Sequence, residues 1–320
     1  MLVCVSANPA IDRRLRLKSL AVGEVNRALS AEPFPGGKAA HVALVARALG
    51  ADVMWVGFLG GASGEECEAA LSALGIPLTV VRTRIETRAN LEIISSDGVT
   101  TEILEPGGVV SEGEVERLLS TCRDLFAESG ATTQVALSGS LPPGAPAELY
   151  GELIRVAHAY GCRALLDTTG EALQHGLRAG PDLVKPNREE AARFAGHPVP
   201  DPAAALDVAR KLFANGARGV AISLGAEGML WQNSADAAPL ISHLPPVAGC
   251  LSVGCGDAAL AGFAVAHERR LSDEETIGLA VACGTANCFA AAPGQIDPRE
   301  VERIAGQVLV QRVHSECQAG

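Results

Sequence analysis

Aromatic residues are scarce, at 3% of 320 residues, although 48% of the chain is hydrophobic. The core must then be built from Ala, Val, Leu and Ile, which favours helices packed on a buried sheet over an aromatic-rich β-sandwich. Positive charge is also short: 26 basic against 37 acidic residues leave a net charge of −11. Such a chain lacks the basic face on which nonspecific nucleic-acid binding depends, so a phosphorylated ligand would have to meet a local basic cluster. No apolar run is long enough to span a membrane, and the opening MLVCVSANPAIDRR has no basic segment ahead of its short apolar run. Neither a membrane partner nor a signal peptide is therefore expected. There is no C-x-x-C pair and no Cys/His cluster with metal-finger spacing. The nine cysteines (Cys4, Cys67, Cys122, Cys162, Cys250, Cys255, Cys283, Cys288 and Cys317) are odd in number and scattered, which points to a reducing, cytoplasmic setting. Also missing are a G-x-G-x-x-G after the first strand and a P-loop ending in Gly-Lys-Ser/Thr. Leu59–Gly64 (LGGASG) has the glycines without either spacing and reads as a structural turn. These absences argue against a dinucleotide-dependent oxidoreductase.

Strand-like runs alternate with helical patterns along most of the chain. Leu2–Ser6 reads as a strand, and Ala51–Val56 as another before the helix Glu65–Leu74. Gln134–Leu137 precedes the helix Pro146–Tyr160, Ala164–Asp167 precedes Glu171–Arg178, and Leu183–Lys185 precedes Arg188–Phe194. Val220–Leu224 follows the helix Ala203–Asn215. This rhythm predicts βαβ units and a parallel sheet covered on both faces. Two stretches break it. Arg13–Phe34 and Arg88–Glu105 alternate polar and apolar, and Asp97–Gly98 is a two-residue hairpin signal. Together they predict a small β-sheet lid, from about 12–34 and 88–105, on one domain spanning 1–320. From about Ser252 onward the pattern is nearly all helical.

Val253-Gly254-Cys255-Gly256-Asp257 opens the predicted helix Ala258–Glu268. Free N–H groups and the positive end of the helix dipole make a glycine turn at a helix start an anion site. A carboxylate beside it suits a general base, with the amides holding charge on a transferred phosphoryl group. The same residues fit a plain turn with Asp257 as N-cap. In Lys185-Pro186-Asn187-Arg188-Glu189-Glu190, Asn187 and Glu190 share one face of a first helical turn and could orient magnesium. They fit a capping box equally well. Pro35-Gly36-Gly37-Lys38 is a further glycine turn, leading into the helix Ala39–Leu49 with a lysine able to reach an anion. Ser223-Leu224-Gly225-Ala226-Glu227-Gly228 is a turn between two strands. His158, His175, His197, His243, His267 and His314 lie in no cluster, and Asp273–Glu275 reads as favourable capping acids.

In order, these motifs resemble the ribokinase-like sugar kinases, specifically the phosphofructokinase B branch. Asn8-Pro9-Ala10-Ile11-Asp12 resembles its first-strand motif, Gly23-Glu24-Val25-Asn26-Arg27 its lid entry, and Thr87-Arg88-Ala89-Asn90 the segment whose arginine reaches substrate. Ser138-Gly139-Ser140-Leu141-Pro142-Pro143-Gly144 is similar to the ketohexose-phosphate kinases. Asp167-Thr168-Thr169-Gly170-Glu171-Ala172-Leu173, Val184–Asn187, Ser223–Gly228 and Gly254–Asp257 follow in the family order. Within the branch, Lys38, GEVNR and ISLGAEGMLW lean toward kinases of fructose 1-phosphate. Kinases of tagatose 6-phosphate share most of these features, and those of fructose 6-phosphate are further relatives.

The resemblance implies a three-layer α/β/α sandwich with a mostly parallel central sheet and a β-lid. It implies ATP and Mg²⁺, and a small-molecule sugar phosphate as partner, with a homodimer possible among relatives. Asp12, Arg27, Gly36, Gly37, Lys38, His41, Arg88 and Ser140 are implied for the sugar phosphate, with Arg27 and Lys38 on its phosphate. Lys185, Asn187 and Ser223, Leu224, Gly225, Ala226, Glu227 and Gly228 are implied for ATP, and Asn187 with Glu190 for magnesium, through water. Asp257 is the implied base, with the amides of Cys255 and Gly256 stabilising the moving group and Gly254 shaping the turn. The sequence departs from the family pattern at Ala39 (a glycine elsewhere), His41 (an asparagine that touches sugar hydroxyls) and Ala258 (a serine). A degenerate sugar-phosphate sensor is the alternative of another class, against which the intact Asp257, Asn187 and Glu190 argue.

Overall fold

The computed structural model describes residues 1–244 and 251–313; Cys250, His314 and Cys317 lie outside them. Fourteen strands and ten α-helices are found among the described residues. The parallel part of the main sheet is built from β1 (Leu2–Ser6), β4 (Val53–Leu59), β5 (Leu78–Arg82), β8 (Gln134–Ser138), β9 (Arg163–Asp167), β10 (Leu183–Val184) and β11 (Val220–Ser223). Three antiparallel strands extend one edge: β12 (Met229–Gln232), β13 (Leu240–His243) and β14 (Leu309–Arg312). The full order is β14-β13-β12-β11-β10-β9-β8-β1-β4-β5. β14 adds a strand to the C-terminal region, which the sequence pattern reads as nearly all helical. LVQR is short, and the free edge of β13 supplies the backbone pairing that decides its conformation.

Alternating side chains feed two separate cores. On β1, Leu2 and Cys4 join one cluster while Val3 and Val5 join the other. The first cluster packs beneath α1 (Lys38–Ala48), α2 (Gly61–Ala73), α8 (Cys255–Glu268), α9 (Asp273–Asn287) and α10 (Pro298–Ala305). The second packs beneath α3 (Glu112–Ser129), α4 (Leu149–Ala159), α5 (Gly170–Arg178), α6 (Arg188–Ala195) and α7 (Pro202–Ala214). This is the three-layer α/β/α sandwich, and a strand buried on both faces reads as a continuous apolar run for this reason. Small side chains along α1 and α8 (Ala39, Ala40 and Ala43 against Ala258, Ala259 and Ala261) are all buried, so the two helices lie close together. LGGASG lies at the β4–α2 junction, and its second glycine already opens the helix. Ser272 and Glu275 form the capping box that starts α9, as the acids there suggest.

A separate four-stranded sheet has the order β3-β2-β6-β7, from β2 (Ala10–Leu17), β3 (Ser30–Gly36), β6 (Arg88–Ser95) and β7 (Thr100–Ile103). The Asp97–Gly98 turn joins β6 to β7, with Gly98 at φ 85°. β2 and β6 pair in parallel, joining two antiparallel hairpins into one sheet. No described helix is long and apolar enough to cross a membrane.

Candidate active site

The site gathers where the parallel strands end. Gly254 takes a left-handed conformation (φ 77°) and caps α8 without a side-chain bond, which sets Asp257 at the third helical position. The carboxylate of Asp257 is buried and turns to His41, with Oδ2 2.8 Å from Nδ1, so Asp257 is not the N-cap. The N–H of Cys255 donates to the Ser252 carbonyl at 3.2 Å. The N–H groups of Gly256 and Asp257 have no acceptor among the described residues. The open pair of amides thus lies one residue further along than the sequence implies. A Cβ on Gly256 would lie 3.1 Å from Lys185 Nζ, so that ammonium stands directly against the open turn.

A chain of charges crosses the site. Asp167, at the end of β9, is fully buried between two lysines: Oδ1 is 2.9 Å from Lys38 Nζ and Oδ2 is 2.9 Å from Lys185 Nζ. Burial alone would raise the pKa of Asp167, but Lys185 and Lys38 outweigh it and bring it down to about 2. Lys38 also lies 3.4 Å from Glu190 Oε1. Burial opposes the charge of Lys38, yet Asp167, Glu190 and Asp257 hold its pKa above the ordinary lysine value. Lys38 keeps 36% of its side chain exposed, while its ammonium is held by the buried carboxylates of Asp167 and Glu190. Asp167 is the residue that sequence reasoning placed in a motif without giving it a role. An acid at the carboxyl end of a buried central strand was the available signal.

The sugar-side residues cluster on the second sheet and the start of α1. Asp12 accepts from Asn90 Nδ2 at 2.7 Å, and burial raises its pKa more than His41, Asn90 and Arg88 lower it. A Cβ on Gly36 would fall 2.1 Å from Asp12 Cγ, and Gly37 has φ 85° with Pro9 3.2 Å from its would-be Cβ. These two positions require glycine. His41, one turn after Lys38, lies 3.9 Å from Asp12 Oδ2 through Nε2. Burial opposes protonation of His41, but Asp257 and Asp12 outweigh it and raise its pKa. Beneath, Arg14 is buried and donates to Glu92 at 2.6 Å and to the Ala291 carbonyl, tying the second sheet to the segment after α9.

Not every implied residue presents free groups here. Arg88 donates to the carbonyls of Asn8 (3.0 Å), Pro9 (3.4 Å) and Glu105 (2.7 Å), and burial lowers its pKa. Ser140 Oγ accepts from Asn8 Nδ2 at 3.1 Å. Arg27 is exposed in the β2–β3 connection and makes no ion pair or hydrogen bond among the described residues, so it is not brought to the cluster. Asn187 and Glu190 do form the capping box: Asn187 Oδ1 accepts from Glu190 N at 2.8 Å, and Glu190 Oε2 accepts from Asn187 N at 2.9 Å. Only Glu190 Oε1 faces the cleft. No three His, Cys, Asp or Glu side chains converge on a point among the described residues, so the set fits a metal shared with substrate phosphates and waters, not a protein cage. The 223–228 turn is a 3₁₀ turn between β11 and β12, with φ 64° at Gly225 and 93° at Gly228. Arg188 pins it through the Leu224 carbonyl (2.9 Å) and Glu227 (2.8 Å), and Asn187 pairs with Ser223.

The family model for pfkB family carbohydrate kinases matches residues 1–298. The chain is 34% identical over 314 residues to the 1-phosphofructokinase of Xanthomonas campestris pv. campestris, covering 96% of this chain and 97% of that one. It is 30% identical over 314 residues to the tagatose-6-phosphate kinase of Staphylococcus epidermidis, covering 97% and 99%. Among solved structures, phosphofructokinase-2 from Escherichia coli in complex with fructose-6-phosphate superposes with a TM-score of 0.85 at 26% identity, covering 96% and 98%.

Proposed function

Because the chain belongs to the pfkB family of carbohydrate kinases, and is an ATP-dependent sugar kinase, we propose that its acceptor is a phosphorylated ketohexose, fructose 1-phosphate first. The observation that carries this reading is the buried Asp257 carboxylate beside two amides with no acceptor among the described residues, at the start of α8. The free hydroxyl of the sugar phosphate attacks the γ-phosphorus of ATP while Asp257 accepts its proton. The bond from the γ-phosphorus to the bridging oxygen breaks, and ADP leaves. The amides of Gly256 and Asp257 and the ammonium of Lys185 face the place where charge moves. Fructose 1,6-bisphosphate is the product.

Asp12, Gly36, Gly37 and His41 form the sugar wall, with Lys38 as the local cation that an acidic protein needs for a phosphate. Lys185, Asn187 and the 223–228 turn form the nucleotide wall. Glu190 Oε1 would orient magnesium, which when bound neutralises charge on the nucleotide phosphates. The second sheet would act as a lid that keeps water from the transferring group. The test is ADP release with Mg-ATP against fructose 1-phosphate, tagatose 6-phosphate, fructose 6-phosphate, free fructose and ribose. Highest kcat/KM on fructose 1-phosphate is expected. A preference for tagatose 6-phosphate would favour the second reading, which the 30% identical relative supports. Bound ATP with no turnover across the panel would overturn both.

A further inference from the structure

His41 stands where its relatives' pattern has an asparagine, and its surroundings show what the exchange does. It lies one turn into α1, so it shares a face with Lys38 yet serves different partners. Lys38 reaches Asp167 and Glu190, whereas His41 reaches Asp257 on α8 and Asp12 on β2. The side chain is only 4% exposed. Nδ1 is 2.8 Å from Asp257 Oδ2, where a protonated Nδ1 donates to the carboxylate. Nε2 is buried with no hydrogen-bond partner among the described residues, and Asp12 Oδ2 is 3.9 Å away, too far for a direct bond. A buried ring nitrogen without a partner is unusual, and it lies beside a second carboxylate that could share a hydroxyl with it.

We propose that His41 is a positioning and specificity-determining residue. Its imidazolium holds Asp257 through Nδ1–H and gives Nε2–H to one hydroxyl of the sugar, which donates in turn to Asp12. The inference rests on the kinase reading of the site and adds to it a direct link between sugar recognition and the catalytic base. The charge balance fits. The groups facing the ring are Asp257 from α8, Asp12 from β2 and Glu92 from β6, with Lys38 a turn earlier on α1 and Glu102 on β7 within electrostatic reach. Glu92 is already paired to Arg14, so the two carboxylates left to the ring are Asp12 and Asp257. They keep the imidazole protonated above its ordinary range. An asparagine has one NH₂ group for both tasks and would turn its carbonyl toward a carboxylate.

The sign follows. Sugar recognition is complete below the raised pKa of His41 and weakens as pH rises through it, when Nε2–H is lost. The experiment compares wild type, His41→Asn and His41→Gln with fructose 1-phosphate and its 3-deoxy and 4-deoxy analogues from pH 6 to 9. In wild type, KM for the sugar should climb with pH while KM for ATP stays flat, and one deoxy analogue should lose about tenfold to a hundredfold in kcat/KM, as one hydrogen bond to a charged group would give. In His41→Asn the pH dependence should vanish and the deoxy penalty should shrink, because the amide is neutral at every pH. Equal pH dependence or equal deoxy penalties in the two proteins would overturn the inference with the kinase reading intact. Nuclear magnetic resonance of the His41 ring separates it from a merely structural role. Its pKa should stand above about 6.5, the ordinary histidine value, fall in Asp257→Asn, and rise on adding fructose 1-phosphate to wild type. A ring that titrates at an ordinary value and ignores the sugar would sink the proposal even if no substrate were turned over.

Discussion

The main sheet and the second sheet solve the problem of buried charge differently. In the main sheet the strands are apolar on both faces, and buried charge appears only where they end, at Asp167 and Lys185. In the second sheet it lies within the strands: Asp12, Arg14, Asn90 and Glu92 are all buried. The main sheet therefore stands on hydrophobic burial and carries chemistry at its rim. The second sheet depends on polar complementarity for its own packing. Removing a charge should cost activity first in the one and stability first in the other.

The largest expected effect is on activity. Asp257→Asn should lower kcat by about 10²–10⁴-fold while ATP affinity and the thermal midpoint stay near wild type; turnover within tenfold of wild type would remove Asp257 as the base. The mirror experiment is Arg14→Ala, which strands Glu92 in the interior and should cost about 3–5 kcal/mol in chemical denaturation. A double Arg14→Met/Glu92→Leu variant should recover most of that loss, and a single variant as stable as wild type would erase the contrast between the sheets. Next comes the acid limb. Asp167 titrates near 2 in the fold, below its ordinary 3.8. Its contribution is therefore present above about pH 4 and lost as pH falls toward 2, on the order of 2 kcal/mol in all. Urea denaturation between pH 5 and 2 should show a steeper loss in wild type than in Asp167→Asn, where other depressed carboxylates such as Asp182 still contribute. Lys38→Ala leaves the buried Asp167 with Lys185 as its remaining cation, so it should also lower stability, but by less than Arg14→Ala does. Its kinetic signature should be a KM for the sugar phosphate that rises well above any change in KM for ATP; equal rises would move Lys38 to the nucleotide wall.

Much of this was legible in order along the chain. The βαβ rhythm, the Asp97–Gly98 hairpin, the acid-capped start of α9 and the glycine turn before Asp257 are local signals whose causes lie within a few residues. The misses are non-local. β14 takes its conformation from the free edge of β13, which lies some seventy positions earlier in sequence. The open amides of α8 shift by one residue because the Ser252 carbonyl captures Cys255 N–H. Arg88 gives three of its five donors to backbone carbonyls, two of them about eighty positions away in sequence. The capping box at Asn187 and Glu190 proved compatible with a role in the cleft, because it occupies only one oxygen of Glu190.

By itself, the sequence determined the layer architecture and the family, because periodicity and short glycine motifs encode backbone geometry directly. Only the tertiary structure decided which charges meet. His41, Asp167, Lys185 and Asp257 come from four separate segments, and the packing of α1 against α8 and the strand ends brings them together in bonded pairs, with Asp12 3.9 Å from His41. Carboxylate chemistry depends on those neighbours at a few ångströms, which no spacing along the chain specifies.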